Sequence, residues 1–276
     1  MTSRVLKENK TRRGETTENR NLAFVLMVIL GEVQGLLKGV KKMQKLLTPL
    51  ATVLILCSIL LGCAPEEGIA IPTTPWPDKE QTRYTVEEQA GNTIGSGTLT
   101  IARKGESYIL GQYWKLGDIK QTVSIEVASD DLKPVSGNQT IVSPRGEVKI
   151  NTTYTGNKLS IEAETPQGPR TAEIDVPDDA YDNDEVLFLF RTLPFEEGYQ
   201  ATYTIIVAST AQKPKVTITI IGKEQIEAPA GLFHCWKLEL KVAEQKQYVW
   251  YSIDDPHHLV KYDDGQNTIL LQEIVQ

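Results

Sequence analysis

The chain has little of what most catalytic sites are made from. Its 276 residues include only three histidines and three cysteines. Cys57 and Cys63 both precede the polar bulk of the chain and leave Cys235 alone in it, so a disulfide or a cysteine-rich zinc site is excluded there. There is no Walker loop and no dinucleotide-binding glycine fingerprint. Basic residues are scarce after the first quarter. Residues 1–62 carry 10 Lys and Arg against 4 Asp and Glu, whereas the remainder carries 19 against 32, a net charge of −13. Phosphate backbones need clustered Lys and Arg, so nucleic acid is excluded as a partner, and so is charge-driven adsorption to anionic lipid. Long apolar runs are missing too. Leu46–Leu61 is 16 residues long and contains Thr48, Pro49 and Thr52, short of the ~20 apolar residues that cross a bilayer as a helix.

That short run reads instead as the core of an export signal. Lys41, Lys42 and Lys45 precede it, and the small residue Gly62 ends it. Cys63 follows directly, and Leu60-Leu61-Gly62-Cys63 resembles the bacterial lipoprotein box. The resemblance implies cleavage before Cys63, lipidation of Cys63 as the new N-terminus, and attachment to the membrane through that lipid. The domain would then lie outside the cytoplasm, on the outer face of the cytoplasmic membrane or on the outer membrane. Ala64 is not the Asp that retains such proteins at the inner membrane in one sorting system, so both locations stay open. Met43 begins a compact signal, which assigns residues 43–62 to it. Residues 1–42 are polar up to Arg20 and interrupted by Gly31, Gly35 and Gly39 beyond it; they read as a disordered leader or a mis-assigned start. Residues 63–80, with Pro65, Pro72, Pro75 and Pro77, read as a tether.

From residue 81 to 276 the pattern changes to period two. Thr98-Leu99-Thr100-Ile101, Ser124-Ile125-Glu126-Val127, Ala172-Glu173-Ile174-Asp175-Val176 and Val216-Thr217-Ile218-Thr219-Ile220 all alternate, with turn residues every 8–12 positions or so. This predicts an all-β domain, a single antiparallel β barrel or sandwich in meander order. One short helix is expected inside it. Asp182 and Glu185 have capping-box spacing, Val186–Phe190 is apolar all round, and Arg191 and Pro194 close the segment. The helix should be buried, as a core plug or as the lid of a cavity. In the long strand near the C-terminus, Leu232, His234, Trp236, Leu238, Leu240 and Val242 are expected on the core face, while Cys235 is expected to be a buried structural thiol. Tyr248–Tyr251 should be a central strand. Phe188, Phe190, Trp236, Tyr248 and Trp250 are the candidate lining of a cavity for a lipid or other apolar ligand, or else core filling.

Chemistry finds little to hold. Asp254, Asp255, His257 and His258 are metal-type ligands at a spacing that matches no recognised zinc or iron site. Asp178, Asp179, Asp182 and Asp184 lack the glycine and distal glutamate of a calcium loop and read as a solvated turn with a helix cap. Gly95-Ser96-Gly97 is not a nucleophile elbow, because no strand-to-helix turn surrounds it. No catalytic residue, metal site or cofactor is assigned.

The order of motifs in the last hundred residues carries a family resemblance. Leu193-Pro194-Phe195-Glu196-Glu197-Gly198-Tyr199 follows the apolar helix. Ala228–Lys237 comes next, then Trp250-Tyr251-Ser252, Asp255-Pro256 and Leu259–Tyr262. This order resembles the bacterial envelope family known as domain of unknown function 3108. The resemblance implies secretion and a β fold and carries over no active-site residue. The expected function is a lipid-anchored, non-catalytic binding or carrier module of the cell envelope. The alternatives are a structural or interaction protein there, or a hydrolase with an unrecognised site.

Overall fold

The alternating pattern produces strands throughout residues 74–275, the part of the chain that the computed structural model describes. The leader, the export signal and Cys63 lie outside the described residues. Eight strands form a first meander: β1 (Lys79–Glu88), β2 (Thr93–Lys104), β3 (Ser107–Leu116), β4 (Ile119–Ala128), β5 (Pro134–Ser143), β6 (Gly146–Thr155), β7 (Lys158–Thr165) and β8 (Gly168–Asp175). A short β9 (Ala180–Asp182) is followed by a non-strand insert. Then come β10 (Gln200–Ile206), β11 (Lys215–Ala228), β12 (Gly231–Val242), β13 (Gln245–Ser252), β14 (Leu259–Asp263) and β15 (Asn267–Val275). β1 pairs with β15, which joins everything into one 15-stranded sheet with β8 and β9 at its ends. Every ladder is antiparallel except β9–β10. That pair is parallel because the insert between the two strands crosses the interior and returns the chain to re-enter the sheet in the same direction.

The sheet curls around one main core, shared by Tyr84, Ile101, Leu110, Ile218, Leu238 and Val249 from strands far apart in the order. A smaller core of Ile150, Leu159, Ile161, Ala180 and Ile206 lies under β6 and β7. The first strand starts earlier than the alternation suggested. Trp76 is buried, edge-on to Tyr108 at 5.9 Å, and β1 begins at Lys79, so the stretch read as a tether already contributes Trp76 and Glu80 to the packed domain. Gly97 shows why β2 needs its glycines. Gly97 pairs with Trp114, and a Cβ there would fall 1.9 Å from the indole ring.

The face expected for β12 is corrected by a bend. Leu232 is 63% exposed and His234 is exposed, while Cys235 is buried. The cause is a bulge in β11 between Ile220 and Gly222, with Gly222 at φ 141°, a conformation that side-chain-bearing residues rarely adopt. Beyond it the β11–β12 hairpin reaches β14 and β15, and the Ala230 N–H donates to the Leu271 carbonyl on β15 at 3.1 Å. Ile226, Ala228 and Cys235 are buried as part of the main core.

Candidate functional site

The insert between β9 and β10 is where the expected helix and cavity should meet. It contains a 3-10 turn (Asn183–Glu185), a single α turn, α1 (Val186–Leu189), and a second 3-10 turn (Phe190–Thr192). The capping box is formed: Asp182 accepts from the Asp184 N–H at 2.9 Å, and Glu185 accepts from the Asp182 N–H at 2.6 Å. The apolar residues that follow cannot be solvated cheaply and go inward. Phe188 and Phe190 are each 1% exposed, and Tyr251 donates to the Leu187 carbonyl at 2.9 Å. The insert therefore runs through the interior as a plug, from Tyr154 on β6, whose hydroxyl donates to Asp182, to Glu80 at the start of β1, which binds Arg191.

The five candidate cavity residues do not line one space. Phe188 and Phe190 belong to the plug. Trp236 pairs with Tyr251 and shares its face, where Phe195 stacks on it at 6.1 Å and the Lys223 ammonium lies 4.2 Å from its ring. Tyr248 and Trp250 point to the opposite face of β13. There Trp250 lies between Lys237 and Lys261, 5.0 and 4.6 Å from its ring centre, and donates to Glu224 at 2.9 Å. The period-two pattern held the information about β13, because residues 248 and 250 have opposite parity to 249 and 251. The apolar run on both faces concealed which side was inner.

A polar centre that sequence reasoning missed lies at the far end of the plug. Arg191 and Glu80 form a two-pronged ion pair at 2.7 and 2.9 Å, with both side chains under 10% exposed. The same guanidinium donates to the Pro256 carbonyl at 3.0 and 2.8 Å and lies 5.3 Å from the Trp76 ring. Four of the five N–H donors are used within the chain, so this is a fastening rather than a binding site. The available signal was Glu80, two and four residues before Thr82 and Tyr84 on one strand face.

The residues with catalytic or ligand chemistry are dispersed. His257 reaches Asp255 at 3.2 Å, whereas His258 turns inward toward Glu80 and is held below its usual pKa, chiefly by burial. Asp178 accepts from Asn157 and Asp179 from Thr204. Among the described residues no three His, Cys, Asp or Glu side chains are placed to hold a metal ion. The Cys235 thiol is pushed up to about 12, first by burial and then by Glu224. A cleft opens between β5, β6, Asp182–Asp184 and Val207–Ser209, with room for about one water molecule. Asp182 and Asp184, which line it, and the adjoining Glu185 are all held above the usual carboxylate range, with burial the largest cause for each.

Comparison with known proteins places this geometry. Residues 83–267 match the family described as "Protein of unknown function (DUF3108)". The chain belongs to that family. No curated protein matches it. Among solved structures, it is similar to a β-barrel-like protein of domain of unknown function DUF1849 from Brucella abortus, at 9% identity over 71% of this chain and 96% of that one, with a TM-score of 0.51. Similarity also extends to a Parabacteroides distasonis protein (12% identity, 76% of this chain, 100% of that chain) and to a Bacteroides fragilis protein with a YmcC-like fold (10%, 75%, 100%), each with a TM-score of 0.30. The Brucella likeness shows a shared barrel-like fold for this DUF3108 chain and no activity.

Proposed function

We propose that this DUF3108 protein is a lipid-anchored component of the bacterial envelope whose domain binds a partner through its outer surface and is not an enzyme. The observation that carries the reading is the filled interior. Barrels that carry small ligands keep space inside, whereas here Leu187–Phe190 of the chain itself occupy that space. The buried, high-pKa thiol of Cys235 and the divergent directions of His257 and His258 support a non-catalytic role. The anchor rests on the Leu60–Cys63 box and the proline-rich segment after it. Cys63→Ala is expected to leave an unprocessed or soluble protein. Unchanged processing and membrane partition of that variant would overturn the anchor. A gene starting at Met43 is expected to support normal export, with residues 43–62 as the signal.

A second reading is a carrier for a lipid or other apolar ligand. The cleft beside Asp184, at the point where the plug enters the sheet, favours it. An interior reached through that cleft would admit a ligand only if the plug moved.

A further inference from the structure

The carboxylates of Asp182, Asp184 and Glu185 lie where the two apolar cores meet. Ile150 and Leu159 belong to one core and Tyr181 and Leu187 to the other. The cleft beside them is lined by Asp182, Asp184 and, from the smaller core, Ile150. Both Asp182 oxygens are used, one by the Asp184 N–H and one by Tyr154, and one Glu185 oxygen accepts from the Asp182 N–H. Asp184 Oδ1 and Glu185 Oε2, by contrast, are shielded from solvent and accept no hydrogen bond. Lys133, at the head of β5, faces Glu185, but its ammonium is already held by the carbonyls of Asp178 and Ala180 at 2.6 and 3.1 Å. Asp131, Asp178 and Asp179 beside it add further negative charge, and Tyr154 and Tyr181 are the phenols packed nearby.

We propose that Asp184 and Glu185 form a proton latch on the plug: protonated, they hold its entry against β5 and β6, and ionised, they part the seam and free it. Asn183 and the Asp182 N–H each serve one oxygen of Asp184 and Glu185, respectively, but a shielded carboxylate with its other oxygen lacking a donor is disfavoured as an anion. Two such anions beside Asp182 repel it and one another. In agreement, both groups titrate well above the usual range, chiefly through burial and then through Asp182. The unfolded chain releases these protons near pH ~4, whereas the folded chain keeps them to higher pH. The latch is therefore complete below about pH 4 and is lost as pH rises through each group's folded-state pKa. Within that window each retained proton changes the unfolding constant by up to about tenfold per pH unit. The latch belongs to the domain and does not depend on what the domain binds.

Hydrogen exchange of the full chain in detergent at pH 5 and pH 8, corrected for intrinsic rates, tests this on peptides covering residues 180–192. Opening is expected to be at least tenfold more frequent at pH 8 in the natural protein. Asp184→Asn with Glu185→Gln, which fixes the neutral form, should abolish that difference. An equal pH ratio in the natural and double-substituted proteins overturns the proposal, as does a ratio near one in the natural protein. If the double variant does not fold, the single variants decide. The amide introduced by Glu185→Gln retains an oxygen for the Asp182 N–H, and each single change should reduce the ratio, whereas an undiminished ratio in both rejects the latch.

Discussion

Phe188→Ala probes whether the plug holds the domain together. Phe188 is 1% exposed and sits in α1 inside the main core. Losing the burial of a full Phe side chain costs roughly 1.5–3 kcal/mol by transfer alone. The surrounding sheet is held by its ladders and cannot readily collapse onto the gap, so a cavity term adds to this, giving about 3–5 kcal/mol in total. A domain of this size loses about 2–4 °C in Tm per kcal/mol, so Tm should fall by roughly 6–20 °C. With a urea slope of about 2–3 kcal/mol/M the midpoint should fall by roughly 1–2.5 M with the slope unchanged, because the same surface is exposed on unfolding. Circular dichroism in a urea series measures both. A midpoint within about 0.3 M of the natural protein would mean that α1 is a mobile lid and that the interior does not need it.

Other substitutions separate the remaining contacts. Gly97→Ala should destabilise by about 1–3 kcal/mol or more, because its Cβ would meet the Trp114 ring at 1.9 Å; a neutral result in thermal unfolding would refute that close approach. Glu80→Ala should cost about 3–5 kcal/mol by leaving the Arg191 guanidinium buried and unpaired. Pairing Arg191→Met with Glu80→Leu should recover most of the loss, and a double variant no better than Glu80→Ala argues against this account. Burial pushes the Cys235 thiol up to about 12, so at pH 8 it should react with a thiol reagent only in denaturant; rapid labelling of the native domain would contradict its placement.

Much of this fold was legible because alternation is a local signal. The strands around Leu99, Ile125, Ile218 and Tyr251 follow directly from it, and the Asp182–Glu185 capping box follows from spacing alone. Leu238 and Leu240 follow the alternation on β12 and Cys235 is buried as expected, whereas the exposure of Leu232 and His234 goes with a bend at the bulge beside Gly222 of the partner strand β11, which β12 alone does not encode. Trp76 was read as tether because proline-rich composition says nothing about a single aromatic anchor. The fastening of Arg191 to Glu80 joins residues 111 positions apart, a contact no local pattern encodes. The candidate cavity failed to gather for a related reason: a strand apolar on both faces, Tyr248–Tyr251, leaves its inner side to be decided by strand pairing.

The central claim is a lipid-anchored domain whose interior is filled by its own plug. Native mass spectrometry of the protein extracted from membranes in mild detergent tests it most directly. The expected species is the chain beginning at Cys63 with two or three covalent acyl chains and no further bound molecule. A stoichiometric, non-covalently bound lipid that survives extraction and leaves on denaturation would contradict the filled interior.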